Sequence, residues 1–473
     1  MQTRATRIIP NPHQDPVPRA AAAFFGGSLG RHVRIEGARV WRSSLAGLTF
    51  VGSVMVALGL FQKGHCLANG WGAPESFWRA CYSDLPFLYA GTPLVDGSFP
   101  YVPNAAVFSQ PPLTGMLMWA VSLATPGGEP FDQQRWNFVL WAVLTVAILA
   151  VLIVVTARSC TQGPWRAAHV AASPILVTTA LVSPDLFGVT LASSALWLWA
   201  RERPEWAGVL FGAAAAARTY TVLLVLVVGL LALRSGRLRA WSAMAGATLL
   251  SFCGVFLVVF GLSVWSGSAR GLSDLGGLLA PYRLWFSGGP DYGSLWFLPR
   301  LWGVELTAGW AVTFSVLGWV IALLAGAGVA LAAARRPTVA EVAIIVVGLA
   351  LVTGRTIPVQ SSLWLLPLVA LAGLRWRDHL IWVSAELCYF VAIWLYLGGL
   401  SDSARALPMP WFLFFSVVRL AGIGWLVASA WRQAWCRPAC SPGEATMAED
   451  VAEHDELAGA MSGRQDRLTM VLR

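Results

Sequence analysis

The chain has 473 residues, 57% hydrophobic and only 12% charged, with a mean hydropathy of +0.63; a soluble protein carries roughly 25% charged residues. This points away from a soluble enzyme and to an all-α polytopic membrane protein, because apolar runs of roughly 20 residues, enough to cross a bilayer, recur from Ser44 to Trp431. The formal charge of +9 does not indicate nucleic-acid binding: nearly all basic residues are arginines in the tails or at the ends of apolar runs, where they set topology.

Residues 1–42 carry Pro and Arg and no signal peptide, and read as a poorly ordered cytoplasmic tail. Span 1 is Ser44 to Phe61. A long outer loop, Gln62 to Arg135, follows; within it Gln110 to Thr125 is short, apolar and led by Pro111 and Pro112, which suits an interfacial helix rather than a span. The next spans are Trp136 to Ala157, Ala167 to Val182 and Leu186 to Ala200. The pair Ala207 to Ala217 and Tyr220 to Leu233 is too short for two full crossings and reads as half-helices buried among neighbours. Then come Trp241 to Leu262, Ala308 to Leu331, Val339 to Thr353, Leu363 to Leu374, Leu380 to Leu397 and Trp411 to Trp431, twelve in all. The membrane domain is thus 43–431. Residues 432–473, with the mostly acidic run GEATMAEDVAEHDELAG, form a second poorly ordered tail. Both termini fall in the cytoplasm. Fusing the short pair into one helix would export Arg234, Arg237, Arg239, Arg335, Arg336, Arg375 and Arg377, against the positive-inside rule.

Polar chemistry collects in the outer loops, where a rigid scaffold usually carries function. Asp84, in CYSDLPFLY, sits among Phe77, Trp78, Tyr82, Phe87 and Tyr89; it is an ordinary loop carboxylate or a base tuned by partial burial. Asp185, in SPDLFG, is a helix cap or a partner for Asp84. Arg218 interrupts GAAAAARTY; it either snorkels to an interface or faces an anion such as phosphate. Glu386 and Arg419 lie in the last two spans, at different depths on these boundaries, and suggest a buried pair that fixes the hairpin. Cys66 and Cys81 share the first loop and can form a disulfide in an oxidising compartment. Cys436 and Cys440 lack the second ligand pair of a zinc site. No P-loop, G-x-G-x-x-G or H-E-x-x-H is present, which argues against an ATP-driven pump and a metalloprotease.

Six segments in order bear a family likeness: CYSDLPFLY with GTPLVDGSFPY, SQPPLTG, SPDLFGV, GAAAAARTYT, GPDYGSLWF and RTIPVQSSLWLLP. Together they resemble the polyprenyl-phosphate-sugar glycosyltransferases of the GT-C superfamily in actinobacteria, glycosyltransferase family 87 above all, over most of Ser44 to Trp431. The resemblance implies a GT-C-type helix bundle and a mannose or arabinose donor on a polyprenyl phosphate. It also implies a lipid or glycan acceptor on the outer face of the plasma (inner) membrane. Asp84 falls on the family's general base, with Asp185 as second catalytic carboxylate. Arg218 and Arg355 are the candidates for the donor phosphate; Tyr82, Tyr89, Gln110, Tyr220, Asp291 and Gln360 for substrate binding. No cofactor is required, although Asp84 with Asp185 can be drawn holding a divalent cation. The family's Glu and Tyr before the Pro-Pro helix are Ser109 and Gln110 here, and two of its lysines are Arg218 and Arg355. A lipid-linked sugar flippase and a non-catalytic envelope-assembly scaffold are the rival readings.

Overall fold

The computed structural model describes residues 17, 38–101, 108–160, 163–268, 271, 276–435 and 455–470, so most of the N-terminal tail and both Cys436 and Cys440 lie outside the described residues. Every regular element among them is helical. In lipid no water is at hand for an unpaired backbone group, and a helix satisfies its own. The helices of ten or more residues are α1 (Ala38–Gln62), α2 (Pro112–Leu123), α3 (Pro130–Ser159), α4 (Asp185–Ala200), α5 (Pro204–Ala217), α6 (Thr221–Arg234), α7 (Leu238–Trp265), α8 (Gly276–Ser287), α9 (Ala308–Ala332), α10 (Val339–Val352), α11 (Ser362–Ala372), α12 (Trp376–Ser401) and α13 (Met409–Trp435).

Six of these, α1, α3, α7, α9, α12 and α13, are long and apolar enough to span a membrane. They carry much of the exposed apolar surface: α7 turns Leu249, Leu250 and Leu257 outward, and α9 Ile321 and Leu324. The shorter α10 and α11 are buried almost throughout. That is the physical condition for a short helix here, since its unpaired ends must find protein partners. α10 meets it with a capping box, Thr338 Oγ1 accepting from the Glu341 amide (3.2 Å) while Glu341 Oε2 accepts from the Thr338 amide (2.8 Å).

The expected span Ala167 to Val182 is corrected. It is a chain of short pieces, Pro164–Ala167, Ala168–Ala171 and Ile175–Thr179; Pro174 lacks the N–H that would continue a helix through it. The short pair is two separate helices of 14 residues each. α5 stops at Ala217, Arg218 is extended (φ −151°, ψ 117°) and α6 starts at Thr221.

The C-terminal tail also differs from expectation over 455–470. Leu457 and Met461 are buried, and the Asp455 carboxylate accepts from the Val339 amide at the start of α10 (3.1 Å). Asp466 lies between Arg234 Nε (2.8 Å) and Arg336 Nε (2.9 Å), and Glu456 meets Arg166 (3.4 Å). The acidic composition that reads as disorder is complementary to arginines at the helix ends, and pairing with them holds the segment in place.

Candidate active site

At the other end of the bundle the first long loop folds back over the helices. Three tethers fasten it to the end of α1: Gln62 Nε2 donates to the Ala80 carbonyl (2.6 Å), Lys63 Nζ to the Tyr82 carbonyl (2.9 Å), and Cys66 is joined to Cys81 with Cα atoms 5.8 Å apart. Ser83 then caps the short helix Asp84–Ala90, its Oγ accepting from the Leu85 amide (3.2 Å) and donating to the Leu181 carbonyl (2.7 Å). The Asp84 amide donates to the Val182 carbonyl (2.8 Å). This seats Asp84 against the turn that opens α4.

Asp84 is half-buried. Loss of water pushes its carboxyl up to about 6; a hydrogen bond from the Tyr82 hydroxyl and the charges of Arg218 and Lys63 oppose that rise, while Asp185 adds to it. Gln360 Nε2 stands 3.5 Å from Oδ2. Tyr82 is held by rings, stacked on Phe77 (5.3 Å) and packed against Trp394 (5.1 Å).

Asp185 has a different environment. Its Oδ1 receives Arg218 Nη2 (2.6 Å) and Ser183 Oγ (2.7 Å), and its Oδ2 receives Trp364 Nε1 (2.7 Å). Arg218 Nη1 donates in addition to the Ala217 carbonyl (2.9 Å) and Thr114 Oγ1 (3.3 Å). The side chain crosses α4 at Gly188, where a Cβ would lie 2.9 Å from Arg218 Cγ. Tyr220 stacks on Trp364 with ring centroids 4.5 Å apart. The helix break at Arg218 thus places a buried guanidinium, and Asp185 fixes its direction.

The remaining candidates divide. Tyr82 and Gln360 reach Asp84, and Arg218 and Tyr220 gather at Asp185 beside it. Tyr89 does not: it is on the opposite side of its helix, its hydroxyl on Gln133 Oε1 (3.2 Å). Gln110 contributes its carbonyl to the Tyr101 hydroxyl (2.9 Å). Arg355 and Asp291 fasten the second long loop, Arg355 Nη1 to the Gly289 carbonyl (2.7 Å) and Thr356 Oγ1 to Asp291 Oδ2 (3.2 Å). Sequence reading missed Thr114, Trp364 and Lys63. The first two carry no signal in one sequence; Lys63 does, as the only lysine of the chain. The carboxylate pair drawn for a divalent cation does not fit: both Asp185 oxygens are engaged. Among the described residues no cluster of three or more His, Cys, Asp or Glu side chains is placed to hold a metal.

Glu386 and Arg419 pair directly, Arg419 Nε to Glu386 Oε2 at 2.9 Å. Arg419 also donates to the carbonyls of Ile357 and Pro358. The pair therefore supports the turn that presents Gln360 to Asp84, besides joining α12 to α13.

An all-helical membrane bundle with a carboxylate and a buried arginine under folded loops is the class these features define. Residues 108–354 match the model of glycosyltransferase family 87, and the chain belongs to that family; it is a membrane glycosyltransferase. The matched stretch contains Asp185, Arg218 and Asp291, and ends one residue before Arg355. Among solved structures it is similar to ArnT from Cupriavidus metallidurans bound to undecaprenyl phosphate (14% identity, TM-score 0.41, covering 84% of this chain and 78% of that one). It is also similar to the oligosaccharyltransferase of Archaeoglobus fulgidus in the apo form (12% identity, TM-score 0.37, covering 90% of this chain and 61% of that one). No curated protein matches.

Proposed function

We propose that the chain transfers a sugar, mannose first, from a polyprenyl phosphate to a hydroxyl of an envelope glycolipid or glycan. The site lies at the outer face of the plasma (inner) membrane and both termini are cytoplasmic. The orientation is supported by the arginines at the end opposite the long loops. The acceptor oxygen attacks the anomeric carbon and gives its proton to Asp84. The bond from that carbon to the phosphate oxygen breaks, and the electron pair leaves with the phosphate, toward Arg218. A single displacement of this kind inverts the anomeric centre.

One observation carries the reading. Of the two carboxylates, Asp185 is committed to Arg218, Ser183 and Trp364, whereas Asp84 meets only the neutral Gln360 at 3.5 Å and the Tyr82 hydroxyl. Only Asp84 is free to take a proton. The Glu386–Arg419 pair occupies two of the deep charges that a flippase pathway would use.

The test is transfer from synthetic polyprenyl-phosphate-mannose by the purified protein, with membrane glycolipid extracts as acceptor. Asp84→Asn is expected to abolish transfer; full activity in that variant would remove the base. The glycolipid profile of a deletion strain identifies the acceptor through the precursor that accumulates.

A further inference from the structure

Lys63 is the only lysine among the 33 basic residues of the chain. Every other cation is an arginine. It follows the last residue of α1 and is completely buried, at 0% exposure. A buried ammonium normally sits against a carboxylate, yet among the described residues Lys63 forms no ion pair. Nζ donates to the neutral Tyr82 carbonyl (2.9 Å), two residues before Asp84, and the Phe390 ring of α12 has its centroid 5.9 Å from Nζ. The Cys66–Cys81 disulfide and the Gln62–Ala80 hydrogen bond flank it, so Lys63 cannot drift from the Asp84 segment while the loop is folded.

We propose that Lys63 is a positioning residue for the Asp84 base: its buried ammonium holds the Tyr82–Asp84 backbone and adds a positive charge beside the carboxylate. The proposal rests on the reading of Asp84 as base. The charged and titratable groups facing Asp84 are Tyr82 from its own loop, Lys63 from the end of α1, Asp185 from α4 and Arg218 from the α5–α6 break. Arg218 also acts on Asp84 but is paired with Asp185; Lys63 is the cation of this group without a carboxylate in an ion pair. Only Asp84 acts on Lys63 in return: burial pulls the ammonium down to about 7, and the Asp84 charge resists that fall.

The signs follow. Removing the Lys63 charge raises the Asp84 carboxyl above its value of about 6. The acid limb of transfer activity then moves to higher pH in Lys63→Met, and Lys63→Arg restores it. A purely structural lysine would lower the rate at every pH and leave the limb in place. The deciding experiment needs no activity. With lysine labelled by ¹³C at Cε, the full-length protein in detergent gives one side-chain resonance to titrate by NMR. Its midpoint is expected near 7, and Asp84→Asn should lower it, because the coupling is mutual. A midpoint in the ordinary lysine range of about 10.4, or one that Asp84→Asn leaves unmoved, overturns the proposal even if Lys63→Met fails to fold. Coupled titration without glycosyl transfer would instead refute the function and leave the pairing.

Discussion

The Glu386–Arg419 pair offers the sharpest test of how the fold supports the site. Arg419 is fully buried and Glu386 nearly so. The guanidinium donates to Glu386 Oε2 (2.9 Å), the Pro358 carbonyl (2.8 Å), Ser361 Oγ (3.3 Å) and the Ile357 carbonyl. Glu386→Gln leaves that charge buried among neutral acceptors, at a cost of about 3–5 kcal/mol. Arg419→Met strands the carboxylate and also takes the donor from two loop carbonyls, so its loss falls in the same range of about 3–5 kcal/mol. The double variant buries no charge. What remains is two unsatisfied carbonyls, about 1–3 kcal/mol each, so its loss should fall below the sum of the two single losses, about 6–10 kcal/mol. The assay is unfolding in mixed micelles titrated with sodium dodecyl sulfate and followed by tryptophan fluorescence. Losses in the double variant that equal the sum of the singles, within about 0.5 kcal/mol, would refute the pairing argument. Both Arg419 variants should also slow transfer, since Ile357 and Pro358 set the turn that carries Gln360.

Gly188→Ala puts a methyl 2.9 Å from Arg218 Cγ; the guanidinium must shift, and kcat/KM should fall by about tenfold or more with stability lowered by only about 1–3 kcal/mol. Replacing Cys66 and Cys81 by serine opens a loop of sequence separation 15 and should cost about 3 kcal/mol, read as a lower unfolding midpoint. Asp466→Asn removes the carboxylate from buried Arg234 and from Arg336. Because Asp466 is partly exposed, at 22%, the expected loss is about 1–3 kcal/mol, and an unchanged thermal midpoint would show that the tail does not stabilise the bundle.

Much of the architecture is legible from the chain because the solvent imposes it. A long apolar run in lipid has one way to satisfy its backbone, so α1, α3, α7, α9, α12 and α13 follow from hydropathy alone. The break at Arg218 was legible too, as a charge after a run of alanines. The piecewise path through Ala167–Val182 was not, because apolarity records where a segment can be buried and not whether it is straight. The tail over 455–470 was misread for a related reason: its acidic composition shows no core of its own, and its partners Arg166, Arg234 and Arg336 are far away in sequence.

The sequence by itself determined a helical membrane protein of this family, with Asp84, Asp185 and Arg218 as the polar residues to watch. Only the tertiary structure decided their division of labour. Asp185 is bound to Arg218 and Asp84 is left with neutral donors, while the one lysine is buried beside the loop that holds Asp84. The physical reason is that a carboxylate's chemistry depends on which charges stand within a few ångströms of it. Those neighbours come from α1, α4, the α5–α6 break and the turn before α11, segments that only folding brings together.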